Sequence, residues 1–105
     1  MDCIAVVTTV GNREEAQMIA RTLVKAKIVA CAQISEIESF YHWQGSLEHD
    51  KEFRILCKTT SLRYPEVEAT ILKLHSYELP AIYAYPLSHI YTPYGEWIEN
   101  NSSHL

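Results

Sequence analysis

The chain has 105 residues with 9 Lys+Arg against 13 Asp+Glu, and its formal net charge is −4 with neutral histidines. This length fits one domain spanning residues 1–105. A net acidic chain is a poor candidate for nucleic-acid binding, which needs a basic surface. No apolar run approaches the roughly 18–20 residues that span a bilayer. Nothing at the start resembles a signal peptide. We therefore expect a cytoplasmic protein that binds neither nucleic acid nor membrane.

The first part of the chain predicts a buried strand followed by an amphipathic helix. Residues 3–10 read CIAVVTTV, β-branched and apolar on both faces, which is typical of a central strand. Asn12, with Glu15 three residues later, predicts a helix start. The helix is expected to run to about Lys27. Its core-facing stripe comprises Ala16, Ile19, Ala20, Leu23 and Val24.

A long hairpin is predicted next, with arms at residues 29–43 and 47–60 around a turn at 44–46. Each arm exceeds the usual five or six residues of a strand by far. A change of apolar phase between Ile34 and Ile37 predicts a β-bulge or bend there. The outer part of the hairpin carries exposed aromatic residues, which favours cover by a second subunit. The alternative is a hairpin that curls back over its own domain. The aromatic residues concerned are Phe40, Tyr41 and Trp43.

The remaining chain predicts a helix at residues 61–75, a strand at 81–86 and a short helix at 94–100, before a frayed tail at 101–105. The order β-α-β-β-α-β, with a terminal helix, indicates an α+β, ferredoxin-like split βαβ fold. Its antiparallel sheet would carry both main helices on one face. The opposite face also needs cover, which a second subunit would supply. The apolar stripe of the second helix comprises Tyr64, Val67, Ile71 and Leu74.

No nucleophile elbow, phosphate-binding loop or dinucleotide fingerprint occurs in the sequence. None of the five histidines has the spacing of a zinc-protease motif. His42 and His49 flank the hairpin turn, and such a pair could bind Cu(II) or Zn(II) weakly. The three cysteines lie at wide spacing without a CxxC pair, which favours reduced, buried thiols.

Two further groups of residues could carry chemistry. Cys31, His75 and Glu78 form a mixed ligand set that suits copper or zinc, if the fold or a subunit contact brings them together. Lys58 could hold an anion or pair with an acid such as Glu78. The equally simple interpretation is that its stem lies along apolar surface at a strand end.

Five short blocks of this sequence, in order and at matching intervals, resemble the CutA family of divalent-cation-tolerance proteins. The resemblance covers about residues 5–97. The blocks are Val6-Val7-Thr8-Thr9, Ala30-Cys31-Ala32-Gln33-Ile34, Tyr41-His42-Trp43-Gln44-Gly45, Leu56-Cys57-Lys58-Thr59-Thr60 and His75-Ser76-Tyr77-Glu78-Leu79-Pro80.

The resemblance implies a ferredoxin-like subunit in a compact homotrimer, with strands paired across subunits through the long hairpin. It also implies a cytoplasmic role in tolerance of divalent metals, mainly copper. The family's trimer is similar to that of the PII signalling proteins, which suggests a sensor or adaptor rather than an enzyme.

Site residues are implied only in part. Of a three-ligand copper constellation known in the family, His75 remains, whereas Thr8 and Leu74 stand at the other two positions. The resemblance also implies a pocket at the subunit junctions. That junction pocket comprises Cys31, Tyr41, Trp43, Lys58, His75, Tyr77 and Glu78.

Three functions follow as hypotheses. The first is a non-enzymatic homotrimer of metal tolerance that binds Cu(II) or another divalent cation weakly, through His75. The second is a PII-like regulatory or scaffold trimer that binds a small metabolite or an unidentified regulatory partner, with polar contacts from Lys58 and Glu78. The third is an enzyme with Cys31 as nucleophile, which its apolar strand disfavours.

Overall fold

The structure is a computed structural model and describes residues 2–103. One antiparallel sheet has the strand order β2-β3-β1-β4 and carries the helices on its faces, which confirms the α+β, ferredoxin-like prediction. The elements are β1 (Cys3–Val10), α1 (Arg13–Lys25), β2 (Cys31–Trp43), β3 (Ser46–Thr60), a 3-10 turn (Ser61–Arg63), α2 (Tyr64–Leu74), β4 (Ile82–Pro86) and α3 (Thr92–Asn101).

The main core lies between the sheet and the two longer helices. The apolar stripes predicted for α1 and α2 face it, except that Val24 is exposed. A second, smaller cluster lies where α3 packs Ile98 against Cys3 and Ala30. Cover for this part of the sheet therefore comes from the chain's own third helix. Fully buried members of the main core include Val6, Val10, Ile19, Leu23, Ile55, Val67 and Ile71.

Helix boundaries follow from local hydrogen bonds. The Asn12 side chain accepts a hydrogen bond from the Glu15 backbone N–H at 2.8 Å, which confirms the predicted helix start. α1 ends at Lys25, before the predicted end, because Lys27 adopts a left-handed conformation with φ 58°. The predicted helix 61–75 is shorter at both ends. Ser61 donates its backbone N–H to the Asp2 carbonyl, and His75 is already extended.

The β2–β3 pairing is regular along its whole length, so the predicted bulge is wrong. The register runs without interruption from Cys31 opposite Lys58 to Trp43 opposite Ser46. Ile34 faces the helices, and Ile37 is half-buried on the opposite face. Both faces of β2 accept apolar side chains, so the phase change needs no extra residue.

The outer half of this hairpin extends beyond the rest of the sheet. β1 pairs with β3 only along residues 53–60, so residues 37–52, here called the ribbon, form a two-stranded ladder. The molecule measures 44 × 26 × 21 Å, and Phe40 and Leu47 on the ribbon are 64% and 69% exposed. Gln44 and Gly45 form the two-residue loop, with φ of 50° and 82°, typical of a type I′ turn. Ser46, predicted in the turn, is already paired.

The end of the chain is more ordered than predicted up to the last described residues. Asn101 belongs to α3, and Ser102 is buried with its hydroxyl bonded to the Ile98 carbonyl at 2.6 Å. The prediction of a frayed tail is therefore wrong for these two positions. Residues 104 and 105 lie outside the described residues. Among residues 2–103, no helix is long and apolar enough to cross a membrane.

Candidate functional site

A cleft of about 980 Å³ lies between the ribbon and the loop that follows α2. Two kinds of side chain dominate its lining. The acidic ones are Asp50, Glu52 and Glu78, and the aromatic ones are Tyr41, Trp43 and Tyr77. Glu38 and Phe40 also border the cleft, but strand alternation puts their side chains on the other face of the ribbon, against His49. The fold therefore brings together four of the seven residues predicted for the junction pocket, namely Tyr41, Trp43, Tyr77 and Glu78.

A buried carboxylate lies at the inner end of the cleft. Glu52 is only 6% exposed, and its Oε2 accepts a hydrogen bond from the Tyr77 hydroxyl at 2.7 Å. Burial, together with this hydrogen bond, raises the pKa of Tyr77. Gly11 gives the tyrosine its room, because a Cβ at that position would lie 3.2 Å from the Tyr77 hydroxyl oxygen. The tyrosine thus stays a neutral donor that satisfies Glu52.

A second tyrosine–carboxylate pair lies on the ribbon. The Tyr41 hydroxyl donates to Asp50 Oδ2 at 2.6 Å. This hydrogen bond is the main cause that raises the pKa of Tyr41 to about 12. Asp50 and Tyr41 both remain exposed to solvent, so this pair contributes less to stability than the buried one.

His75 fixes the loop that carries Tyr77. Its Nδ1 lies 3.1 Å from the Tyr77 backbone N–H, which can only donate, so Nε2 of the neutral ring carries the hydrogen. Nε2 donates to the Thr9 carbonyl at 2.8 Å, and the side chain is buried. Glu15 holds the next residue, accepting from the Ser76 backbone N–H and hydroxyl at 2.9 Å each. Both nitrogens of His75 are therefore already occupied, and a metal would have to displace one of these bonds.

The remaining predicted residues, Cys31 and Lys58, face each other across β2 and β3 at the other end of the sheet. Lys58 Nζ bonds to Gln33 Oε1 at 2.6 Å and lies 5.9 Å from the Tyr94 ring centre. Cys31 Sγ is 3.9 Å from the Tyr94 hydroxyl. Lys58 lies six positions along β3 from Glu52, or about 20 Å at strand spacing. Within one chain the predicted pocket is thus two separate groups, and Cys31 does not meet His75.

No group of three or more His, Cys, Asp or Glu side chains in residues 2–103 is arranged to hold a metal ion. Thr8 is buried on the helix-facing side of β1, and its hydroxyl has no partner there. His42 and His49 lie on the same face of the ribbon, with one residue pair, Tyr41–Glu48, between their positions. His49 is bonded to Glu38 at 2.9 Å and stacks on Phe40.

Sequence reasoning missed three residues that shape the cleft: Gly11, Asp50 and Glu52. Strand alternation is consistent with Glu52 on the face of β3 away from the helices, but it gives no sign that a tyrosine would bury this carboxylate. For Gly11, the only signal in the sequence was its position directly after the predicted strand 3–10, which does not point to a contact with Tyr77.

Removing the Tyr77 hydroxyl is expected to destabilise the fold. Tyr77→Phe leaves the buried Glu52 carboxylate without its donor, which should lower the free energy of unfolding by about 1.5–3 kcal/mol. Tyr41→Phe is the matched control and should cost clearly less than Tyr77→Phe, because its partner is exposed to solvent. Urea unfolding at pH 8 measures both.

Because folding raises the pKa of Tyr77, the contribution of its hydrogen bond to stability is present below about pH 10 and declines as pH rises through the folded-state pKa. Equal losses in both variants would contradict the burial argument.

Comparison with known proteins finds relatives by both sequence and fold. The family described as CutA1 divalent ion tolerance protein matches residues 4–101. A divalent-cation tolerance protein CutA of Thermotoga maritima is 36% identical over 98 residues, covering 93% of this chain and 97% of the relative. The solved structure of CutA from Xylella fastidiosa superposes with a TM-score of 0.94 at 28% identity, covering 98% and 100% of the two chains. A structure described as the periplasmic divalent cation tolerance protein CutA of Archaeoglobus fulgidus gives 0.93 at 33% identity, covering 96% and 99%.

Proposed function

Because the chain belongs to the CutA1 divalent ion tolerance family, we propose that it acts in cation tolerance as a non-enzymatic homotrimer that binds Cu(II) or another divalent cation weakly. The observation that carries this proposal is the ribbon. Residues 37–52 extend past the other strands and expose Phe40 and Leu47 to solvent. Such a surface is stable in water when another subunit covers it.

The backbone of the ribbon supports association through strand pairing. In residues 2–103, β2 has β3 on one side only, and the outer part of β3 has only β2. β4 is the edge strand on the opposite side of the sheet. The ribbon edge of one subunit can therefore pair with a free sheet edge of the next subunit and continue one ladder. Repeating this contact around a closed rotation axis generates a ring of subunits.

The surroundings of Cys31 support a role without catalysis. A nucleophilic cysteine needs an adjacent general base. The thiol instead lies near the Tyr94 hydroxyl, and the neighbouring Lys58 amine bonds to Gln33. Neither contact supplies the general base that a nucleophilic cysteine needs, so the hypothesis of Cys31 as nucleophile is the weakest of the three.

Weak rather than tight metal binding fits the donor sets. His75 stays a predicted ligand, but copper would have to compete with the Thr9 carbonyl and the Tyr77 N–H for its nitrogens. The pair His42 and His49 is the more accessible alternative, with Glu38 beside it. Two imidazoles without a completed ligand shell suit weak binding of Cu(II).

Native mass spectrometry with graded copper tests assembly and metal together. We expect a trimer whose uptake of Cu(II) falls in His42→Ala/His49→Ala. His75→Ala tests the second candidate site. A loss of Cu(II) uptake in this variant would assign part of the metal binding to His75. His89→Ala removes an exposed histidine away from the ribbon and should change nothing. A monomer at micromolar concentration would contradict the assembly, and equal uptake by all variants would contradict histidine ligation.

The regulatory alternative has one specific observation in its favour, since the cleft is large enough for a small metabolite. Glu78 lies in the cleft, whereas Lys58 lies at the other end of the sheet, so only a neighbouring subunit could bring both to one ligand. Lys58→Ala tests this version: loss of ligand binding with an intact trimer favours it.

We also propose a cytoplasmic location, which suits the three free cysteines. The Archaeoglobus fulgidus relative is described as periplasmic. Cell fractionation with compartment markers distinguishes the two locations.

A further inference from the structure

We propose that the cleft beside the ribbon binds an organic cation, namely a linear amine with two or more ammonium groups joined by short aliphatic segments. This inference goes beyond metal tolerance and assigns the cleft a ligand class of its own. It depends on three features of the lining: its charge, its aromatic surface and its size.

The charge of the lining is one-sided. Asp50, Glu52 and Glu78 contribute carboxylates, and within residues 2–103 no Lys or Arg lines the cleft. The Glu38 carboxylate lies on the other face of the ribbon, where it is bonded to His49. Lys51 lies opposite Glu38 across the ribbon, but its amine is paired with Glu36 at 3.5 Å. Arg13 also bonds to Glu36, at 3.3 Å. The nearby cations are therefore directed to Glu36, so the cleft keeps a field that attracts positive ligands.

The aromatic surface favours an organic cation over a metal ion. Tyr41, Trp43 and Tyr77 line the same space as the carboxylates, whereas the Phe40 ring lies on the other face of the ribbon and stacks on His49. Ammonium groups are attracted to aromatic faces, and aliphatic segments gain from burial against them. A divalent metal instead needs several ligand atoms within about 2.0–2.6 Å of one point, and no group of three suitable side chains in the described part of the chain meets that need.

The two tyrosine hydroxyls hold the carboxylates apart. Tyr77 binds one oxygen of Glu52 and Tyr41 binds one oxygen of Asp50, at 2.7 and 2.6 Å. Each carboxylate is thus oriented by its tyrosine, and the exposed Asp50 keeps a second oxygen that can accept a hydrogen bond. Separated, oriented acceptors match ammonium groups spaced along a chain. The cleft volume of about 980 Å³ also lies in the range of small-molecule sites.

Spermidine is a suitable probe, because it carries three ammonium groups on an aliphatic chain. Isothermal titration calorimetry of the full-length protein should show saturable binding with Kd of about 1 mM or tighter. Tryptophan emission gives an independent signal, since Trp43 lines the cleft and Trp97 stacks on Tyr94 on α3, outside the lining. Spermidine should change the emission of Trp97→Phe and leave that of Trp43→Phe unchanged.

Matched variants separate aromatic recognition from simple charge attraction. Trp43→Leu should weaken spermidine binding by about two- to fivefold, whereas Trp97→Leu should not change it. Glu78→Gln should weaken binding by about two- to fivefold, whereas Glu14→Gln, an exposed carboxylate on α1, should not. Magnesium at the same ionic strength should not displace spermidine completely, and its own binding should not respond to Trp43→Leu.

Two results would overturn the proposal. One is the absence of saturable spermidine binding at millimolar concentrations. The other is equal binding by Trp43→Leu and Trp97→Leu with complete displacement by magnesium, which would reduce the cleft to a nonspecific counterion surface. Because the cleft lies within one chain, native mass spectrometry of the same samples reports assembly separately. A monomer that binds spermidine with the expected variant order would contradict only the trimer.

Discussion

Placing charges on the ribbon is expected to prevent the proposed trimer from forming. Phe40→Glu/Leu47→Glu replaces two exposed apolar side chains on the same face of the ribbon. A carboxylate buried at an interface without a partner costs several kcal/mol. The dissociation constant of the assembly should therefore rise by roughly 100-fold or more. Native mass spectrometry and light scattering across a concentration series measure the change, with circular dichroism to show that the subunit stays folded.

Leu62→Glu is the matched control for this prediction. Leu62 is 90% exposed, more than either ribbon residue, but it lies in the 3-10 turn before α2. The same charge added there should leave the assembly unchanged. If the ribbon double variant remains a trimer at low concentration, the ribbon is not the interface, even if the protein is trimeric.

Truncating the core side of α2 is the second change with a large expected effect. Ile71 is fully buried in the main core. Ile71→Ala removes apolar contacts and leaves a cavity, which should lower the free energy of unfolding by about 2–5 kcal/mol. Urea unfolding at a fixed subunit concentration measures this loss, because the proposed assembly would add concentration-dependent stability.

Its neighbour Leu72 provides the control within the same helix. Leu72 is 55% exposed, and Leu72→Ala should change the free energy of unfolding by about 0.5 kcal/mol or less. Similar losses for both variants would mean that α2 is buried on its outer face as well, for example against another subunit. The contrast thus tests the assignment of the helix faces as well as the size of the core.

Periodicity predicted the fold well because burial imposes it on every element. The stripes of α1 and α2 follow the period of a helix, and the strand order follows from the sequence of elements. The errors came where tertiary contacts decide. Ile37 has a half-buried position on the second face of the sheet, so no bulge was needed. His75 ends α2 early because its ring is bonded to backbone outside the helix.

The site was harder to predict because its partners are distant in sequence. Tyr77 and Glu52 are 25 positions apart, and His75 and Thr9 are 66 apart. Residue type indicated that His75 could bind a metal, but only the structure shows that both its nitrogens have partners. The separation of Cys31 from His75 likewise depends on strand register, which composition and motif spacing do not contain.

The tight loop at Gln44 and Gly45 has a consequence for the order of events during folding. The two arms that it joins are adjacent in sequence, so they can pair as a local zipper without closing a long loop. Hairpins of this kind form in about 1–10 μs, whereas subunit encounter takes milliseconds or longer. We therefore expect nascent chains to meet with their ribbons already paired. Assembly would then be the association of subunits whose ribbon strands are already paired. Its rate would be set by protein concentration and little affected by the speed of chain folding.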